Sequence, residues 1–502
     1  MLIQDTLFPE LTAEKTIQPA SFSAGDFGSQ EARKALEEKF LPLTQVTDDF
    51  NRKLVSHQLS KNDCLHRWLK YREGFSAELV MRLLDEFKLK KGDLVLDPFL
   101  GSGTTALVAK LQGLNAIGYD ILPMTAIAVN AKQAVFDYKI QELSDLISEI
   151  ERSAMPVNYD NRTPSLNITN GAYPDETQRG IAFYTEWNAS SAYSSTAKNL
   201  VTLCLLNSLE KASLTAKDGQ YLRWDFRSSK IQQSAIKRKE NGRAPLVVRL
   251  DKGNLPSLKN VLLHELKSVA HDISLIQNTS KPSADTSIKV ISGSALFELQ
   301  KVASETVNAV VTSPPYCNRY DYTRTYALEL AYLNTSEDGL KNLRQELLSC
   351  TVENKSKLER LREHYEKFGR KKDFDRIHSI TLENETLSEI REVLSRRYDS
   401  GDINNKGVLR MVNEYFAELT FIYAEIFRIS KQGAKIAFVN DNVRYGGEVI
   451  PVDFISTELA AQIGFNPVKI YSLKQQKGNS SQQMKKFGRI PLRKSITIWE
   501  KP

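Results

Sequence analysis

Two groups of residues in this chain are of types, and at spacings, that could do chemistry together. The first runs Asp97, Pro98, Phe99, Leu100, Gly101, Ser102, Gly103, Thr104, Thr105, with a second acid, Asp120, 23 positions after Asp97. The second is Thr312, Ser313, Pro314, Pro315, Tyr316. In the first group an acid closes a short apolar run, two glycines permit a tight turn beside a ligand, and Thr104 opens a helix whose free N–H groups face whatever lies over the strand ends. That arrangement suits a small charged ligand. A triphosphate-binding loop needs Gly-Lys-Ser/Thr, and no lysine follows Gly103. The G-S-G-T-T spacing also departs from the G-x-G-x-x-G of dinucleotide dehydrogenases. Asp120 closes the next short apolar run, where an acid accepts both hydroxyls of a ribose. An adenosine with a compact charged tail points to S-adenosylmethionine. Taken alone, the same group also reads as a tight turn of purely structural use.

The second group is stiff. Proline fixes its own φ, pushes the preceding residue toward extended geometry and has no N–H, so Ser313, Pro314 and Pro315 form a corner rich in acceptors. An exocyclic amino group of a nucleobase has two hydrogens, which the Ser313 hydroxyl oxygen and the Pro314 carbonyl can accept together while Tyr316 stacks on the ring. The amino lone pair is delocalised into the ring and attacks poorly; two acceptors favour a localised, more tetrahedral lone pair. Held in line with a methyl on a cationic sulfur, it needs neither metal nor covalent nucleophile. In a duplex the base must first be flipped out at a cost of a few kcal/mol. Stacking on an aromatic returns about 1–3 kcal/mol.

With both groups in view, the chain resembles the amino-group DNA methyltransferases, in which a D-P-F-x-G-S-G turn binds S-adenosylmethionine and [DNS]-P-P-[YFW] is the catalytic corner. The resemblance implies a Rossmann-like methyltransferase fold. It implies cofactor contacts from Asp97, Pro98, Phe99, Gly101, Ser102, Gly103, Thr104, Thr105, Asp120 and Ile121, and catalysis at Ser313, Pro314, Pro315 and Tyr316. In that family the T-S-P-P-Y form goes with cytosine N4, and Asp or Asn in place of the serine with adenine N6. The segment "HRWLKYREGFSAELV" is similar to the part that packs beside the methionine end of the cofactor, with Phe75 and Ser76 as its candidates. In "VISGSALF", Ser294 stands where an acid near the adenine is common. The cofactor turn precedes the corner, the reverse of many N4-cytosine enzymes. The matching segments cover roughly 66–130, 288–330 and 408–500. Double-stranded DNA is the implied partner, and pairing with a restriction endonuclease is compatible with it.

Both groups need a sheet to hold them. "SAELVMRLLDEFKLKKGD" has apolar residues at helical spacing, a Ser N-cap and a Lys-Lys-Gly end; "LVLD" reads as a strand, "GTTALVAKLQG" as a helix stopped at Gly113, and "NAIGYD" as a second strand. "IKVISGSALFEL" and "VNAVVTSPPY" supply two more strands. "VNEYFAELTFIYAEIFRI" and "VDFISTELAAQIG" read as helices, "AKIAFVN" as a strand, and "PVKIYSL" with "SITIWEK" as a closing antiparallel hairpin. The alternation predicts an α/β fold, a mostly parallel sheet with helices on both faces. Two large insertions interrupt it. The expected divisions are an N-terminal extension over 1–60, core segments over 61–136, 288–333 and 406–502, a target-reading insertion over 137–287, and a charged helical insertion over 334–405, read as a hairpin acting as a clamp. The first insertion carries the aromatic islands "IAFYTEW" and "GQYLRWDF" and the basic run 227–243, "RSSKIQQSAIKRKENGR". By itself that run reads equally as a phosphate-following surface or a solvated face. Trp187 and Trp224 read as insertion core or as a base pocket. Lys485, Lys486, Arg489, Arg493 and Lys494, between the last two strands, read as phosphate contacts or solvated cations.

The chain of 502 residues is long enough for a sizeable core, and 68 Lys+Arg against 61 Asp+Glu leave +7, a mild excess that suits a polyanion without requiring one. Cys64, Cys204, Cys317 and Cys350 are too scattered for a disulfide framework or a CxxC metal clip. His57, His66, His264, His271, His364 and His378 show no metal spacing, so no metal is expected. No apolar run approaches the roughly 20 residues of a membrane span, and the first residues lack a leader pattern. A cytoplasmic protein without membrane partners is expected. The reading is a site-specific methyltransferase for cytosine N4 in duplex DNA. Adenine N6 methylation, amino-group methylation of RNA, and DNA binding without turnover are its alternatives.

Overall fold

The computed structural model describes residues 21–25, 27–218, 221–244, 247–281, 286–473 and 486–502. Among these lie strands β1 (Thr44–Thr47), β2 (Leu94–Asp97), β3 (Asn115–Asp120), β4 (Thr215–Asp218), β5 (Tyr221–Trp224), β6 (Ile288–Ser292), β7 (Val307–Thr312), β8 (Ser430–Asp441), β9 (Val443–Tyr445), β10 (Glu448–Ile450), β11 (Asn466–Leu473) and β12 (Lys494–Glu500). Eight of them make one sheet in the order β1-β11-β12-β8-β7-β2-β3-β6. Only β12 runs against its neighbours, pairing antiparallel with β11 and β8, and the other pairings are parallel. β2 and β7, which carry the two chemical groups at their ends, are adjacent. The α/β fold with a mostly parallel sheet and an antiparallel C-terminal hairpin is therefore present.

The strands alternate because successive side chains leave opposite faces of a sheet. Val95 joins the core on one face and Leu96 that on the other; Val311 and Val310 divide the same way, as do Ile498 and Trp499. On the first face lie helices Ala77–Phe87 and Thr104–Leu111. Ser76 Oγ accepts the Leu79 N–H to start the former, and Leu79, Val80, Leu83, Leu84 and Phe87 are its buried stripe. Full burial of Leu79 or Leu83 contributes roughly 1.5–3 kcal/mol each. That helix stops at Phe87, with Lys88 left-handed, earlier than the Lys-Lys-Gly signal at 90–92. On the other face lie helices Gly407–Ile429 and Val452–Ile463.

The extension holds more than polar chain: β1 adds an edge strand to β11. A four-residue strand, T-Q-V-T, has too little alternation to stand out from sequence. The first insertion is mainly helical, with Ile140–Arg152, Asp175–Ser190, Ser195–Ala212 and Leu258–Thr279 sharing one apolar core, and β4 and β5 forming a small ribbon. Its aromatic islands belong to that body. Ile181 and Tyr184 are buried in it, while Trp187 and Trp224 pack against it, Trp187 Nε1 donating to Glu149 at 3.1 Å. In the second insertion four helices, Glu337–Glu346, Leu358–Lys367, Lys371–Glu383 and Glu385–Asp399, replace the expected hairpin. Leu361, Tyr365, Phe374, Ile377, Leu387 and Ile390 bury against helix Gly407–Ile429, and most of the charged residues mark the outer faces, Glu389 and Arg397 being buried exceptions.

Candidate active site

The glycine turn depends on two residues without side chains. Gly101 (φ +53°) lies under the Tyr71 ring, where a Cβ would come within 2.8 Å of Cε1; Gly103 (φ +83°) lies on Val129, where a Cβ would come within 2.4 Å of Cγ2. The Gly101 N–H donates to Asp120 Oδ2 at 2.7 Å and the Leu122 N–H to Oδ1 at 2.8 Å. Asp120 thus ties the turn to the end of β3. The Lys132 ammonium, wholly buried, supports the turn from below by donating to the Ser102 carbonyl at 2.8 Å; burial brings its pKa down to about 7.

The end of β2 is tied to the end of β7. Thr312 Oγ1 donates to Asp97 Oδ1 at 2.6 Å, and the Phe99 N–H donates to the same oxygen at 3.0 Å. The glycine turn and the Ser-Pro-Pro corner therefore stand side by side, and a cavity of about 790 Å³, counting its open mouth, lies between them. That size is within the range of small-molecule and cofactor sites.

Phe75, Asp97, Pro98, Phe99, Gly101, Ser102, Thr104, Asp120, Ile121, Ser313 and Pro315 line the cavity, as does Ser294. Ser76, Gly103, Thr105, Pro314 and Tyr316 do not. Ser76 is spent on its helix cap, Thr105 Oγ1 donates to the Val311 carbonyl at 3.0 Å, and Pro314 is buried. The Tyr316 ring is half-buried beside it, with Lys494 Nζ 5.0 Å from its centroid. Ser313 Oγ lies 3.2 Å from the Val439 carbonyl and 3.2 Å from Tyr316 Oη.

The cavity also draws on residues that the sequence reading passed over. Glu73 lies in its wall, held by the Tyr326 hydroxyl, which donates to Oε2 at 2.6 Å, and Tyr326 stacks on Tyr71 at 5.3 Å. Leu347 and Leu348 from the second insertion and Glu418 and Ile422 from helix Gly407–Ile429 close the far side. Tyr71 and Glu73 fall inside the segment already singled out around Phe75; Leu347 and Leu348 carry no local signal.

The charge in this wall has one sign. Four carboxylates line it and no lysine or arginine does. Glu418 is paired with Lys357 at 2.7 Å, while Glu73, Asp97 and Asp120 have no ion-pair partner among the described residues. Burial, the largest influence, raises all three, Asp97 and Asp120 to about 6. A ligand with cationic centres and a diol fits this donor set, and S-adenosylmethionine, with a sulfonium, an ammonium and a ribose, is such a ligand.

Of the cations between the last strands, Lys485 lies outside the described residues. Lys486 pairs with Asp402, and Arg489 is exposed. Arg493 is buried against Asp453 (2.5 Å) and Glu37 (3.2 Å), and Lys494 is buried near Asp441, so neither is a solvated cation free for phosphate. Among the described residues no group of His, Cys, Asp and Glu is arranged to hold a metal ion, and no helix is long and apolar enough to cross a membrane.

A mostly parallel sheet with β12 reversed, carrying a glycine turn on one central strand and an acid on the next, defines the Rossmann-like methyltransferase class. Comparison with known proteins narrows this. A family model described as DNA methylase, covering N6 and N4 enzymes, matches residues 28–128. The Type II methyltransferase M.BsoBI of Geobacillus stearothermophilus is 52% identical over 481 residues, 96% of this chain and 94% of that protein. The Type II methyltransferase M.AvaI of Nostoc sp. is 36% identical over 476 residues, 93% of each. The chain belongs to the N6/N4 amino-group DNA methyltransferase family. Members of this family take their methyl group from S-adenosylmethionine.

Proposed function

We propose that this protein is a site-specific DNA methyltransferase acting on the N4 amino group of a cytosine flipped out of duplex DNA, in the cytoplasm and alongside a restriction endonuclease of the same specificity. The observation that carries the base assignment is the environment of Ser313. The Val439 carbonyl 3.2 Å from Oγ can only accept, whereas the Tyr316 hydroxyl, also at 3.2 Å, can donate to Oγ in return; with the Ser313 hydrogen on Val439, one oxygen lone pair stays open to an incoming N–H. Together with the Pro314 carbonyl this supplies two neutral acceptors for one amino group. Tyr316 is the stacking partner for the extruded ring. Once the amino nitrogen is localised by the two acceptors, its proton is lost to solvent after transfer, with no base required on the protein before attack.

Bound S-adenosylmethionine supplies an electrophilic methyl group. On this reading Asp120 accepts the ribose hydroxyls, Phe75 and Ile121 pack against its apolar surfaces, and Asp97 and Glu73 face its cationic end. Pro98, Phe99, Gly101, Ser102 and Thr104 form the floor. Ser76, Gly103 and Thr105 act from behind by fixing the backbone. The insertion over 137–287 is the proposed target-reading region.

The test is to incubate the protein with unmethylated genomic DNA, and separately with tRNA, and tritiated cofactor, then to chromatograph the digested nucleosides. N4-methyldeoxycytidine is expected. N6-methyldeoxyadenosine overturns the base assignment, and label in tRNA alone overturns the substrate. Ser313→Ala should lower transfer by about 10²-fold or more, the scale of losing one preorganised hydrogen-bonding group. Calorimetric cofactor affinity should persist in that variant.

A further inference from the structure

The basic run of the first insertion folds as helix Ser229–Glu240, and none of its residues is buried. A helix of about 12 residues is marginal in water when left to itself. This one is fastened at its start: Ser228 Oγ caps the Ile231 N–H, Lys230 Nζ donates to the Ile168 carbonyl at 3.2 Å and lies 4.5 Å over the Trp224 ring. Its last turn carries Lys237, Arg238 and Lys239, which complement the helix dipole. Lys237, Lys239 and Arg243 have no ion pair among the described residues.

One face of the helix lines an open groove. Lys230, Ser234, Lys237 and Asn241 follow one another at three- and four-residue steps, with Gln233 beside Ser234 and Arg238 beside Lys237; Arg243 ends the row, and no acid is among them. An apolar partner would need an apolar stripe, and the helix has none: Ile231 and Ile236 are outside the groove, and Ile236 is 58% exposed. The helix also stands in a useful place. β5, just before it, packs against the short helix Tyr322–Thr325, which begins six residues after Tyr316 of the Ser-Pro-Pro corner.

We infer that helix Ser229–Glu240 enters the major groove of the DNA duplex, with Gln233, Ser234 and Asn241 toward base edges and Lys237 and Arg243 toward phosphates. The inference rests on the proposed action on duplex DNA. A major groove is wide enough for one α-helix, amide side chains make paired hydrogen bonds there, and cations beside them neutralise phosphates without reading sequence.

Two variants of the full chain separate the parts. For Lys237→Gln/Arg243→Gln, affinity for a random-sequence duplex is measured by fluorescence anisotropy over a salt series. The slope of log affinity against log salt should fall by about 1.8, or about 0.9 per cation removed. For Gln233→Ala/Asn241→Ala, duplexes bound from a random pool are sequenced. Discrimination at one or two base positions should relax by roughly tenfold or more, with the salt slope unchanged. Cofactor affinity and melting temperature should stay at the parent values in both. An unchanged salt slope in the first variant overturns the inference, and so does unaltered sequence preference in the second. Duplex binding that responds to both variants in a protein that methylates no DNA would support the helix assignment and contradict the proposed function.

Discussion

Glu73 and Asp97 face a cavity with no cation to neutralise them, and each makes a measurable prediction. Glu73→Gln should weaken S-adenosylmethionine binding by about 1.5–3 kcal/mol, the worth of a hydrogen bond to a charged group. Methylthioadenosine, which lacks the ammonium, should bind the parent and the variant alike in the same calorimeter. Equal weakening of both ligands would move Glu73 away from the ammonium. The Asp97 prediction concerns pH. Its folded value of about 6 is above the unfolded value of about 3.9, so its contribution to stability is complete below about pH 4 and is lost as pH rises through 6. Asp97→Asn cannot ionise, so its melting temperature should gain on that of the parent between pH 4 and pH 7. Cofactor affinity should run the other way in the parent, rising through pH 6 as the carboxylates ionise to meet a cation. Constant affinity across that interval would contradict it. Asp97, Gly101, Asp120 and Ser313 were legible in the sequence because glycine and proline make conformational demands that need no tertiary context. Glu73 was not, since what fixes it is Tyr326, 253 residues away.

At the scale of elements, helix Glu385–Asp399 is fastened to the sheet region by charge as well as by Leu387 and Ile390. Arg397 pairs with Glu448 of β10 at 2.7 Å and with Asp402 at 2.9 Å, and Arg33 from the N-terminal helix Glu31–Phe40 reaches the same Glu448 at 3.0 Å. All four side chains are buried. Removing one partner of such a set leaves charge uncompensated, so Arg397→Met should cost about 3–5 kcal/mol in urea unfolding. A loss under about 1 kcal/mol would show that solvent enters the cluster. Nothing in the local sequence announced it, because its members come from three separated segments, around Arg33, Arg397 to Asp402, and Glu448. The regular elements were far easier to read: β2, β3, β7, β8, β11 and β12 follow short apolar runs, and the helices between them follow a 3.6-residue period. The second insertion was misjudged as a hairpin because its abundant charge hid one apolar stripe on each helix.

Across the whole molecule, the sheet supplies the cavity while the insertions add walls and surfaces, the second through Leu347 and Leu348 and the first through its exposed basic helix. Exchanging residues 137–287 with the matching segment of a relative of different specificity should therefore carry the methylated sequence with it, as read by sequencing modified bases. Exchange of 334–405 should alter affinity more than sequence, and transfer of specificity with that segment would reverse the assignment. The adjacency of β2 and β7 has a consequence for how the protein is made. Asp97 and Thr312, hydrogen-bonded to each other, are 215 residues apart in the chain. At about 5–20 residues per second a ribosome needs on the order of 10–40 s to deliver the second after the first. Throughout that interval β2 has one open edge, a template for wrong pairing at the centre of the future sheet. A nascent chain stalled before β7 should for this reason bind holdase chaperones and no cofactor, and the capacity to methylate DNA would appear only once the last third of the message has been translated.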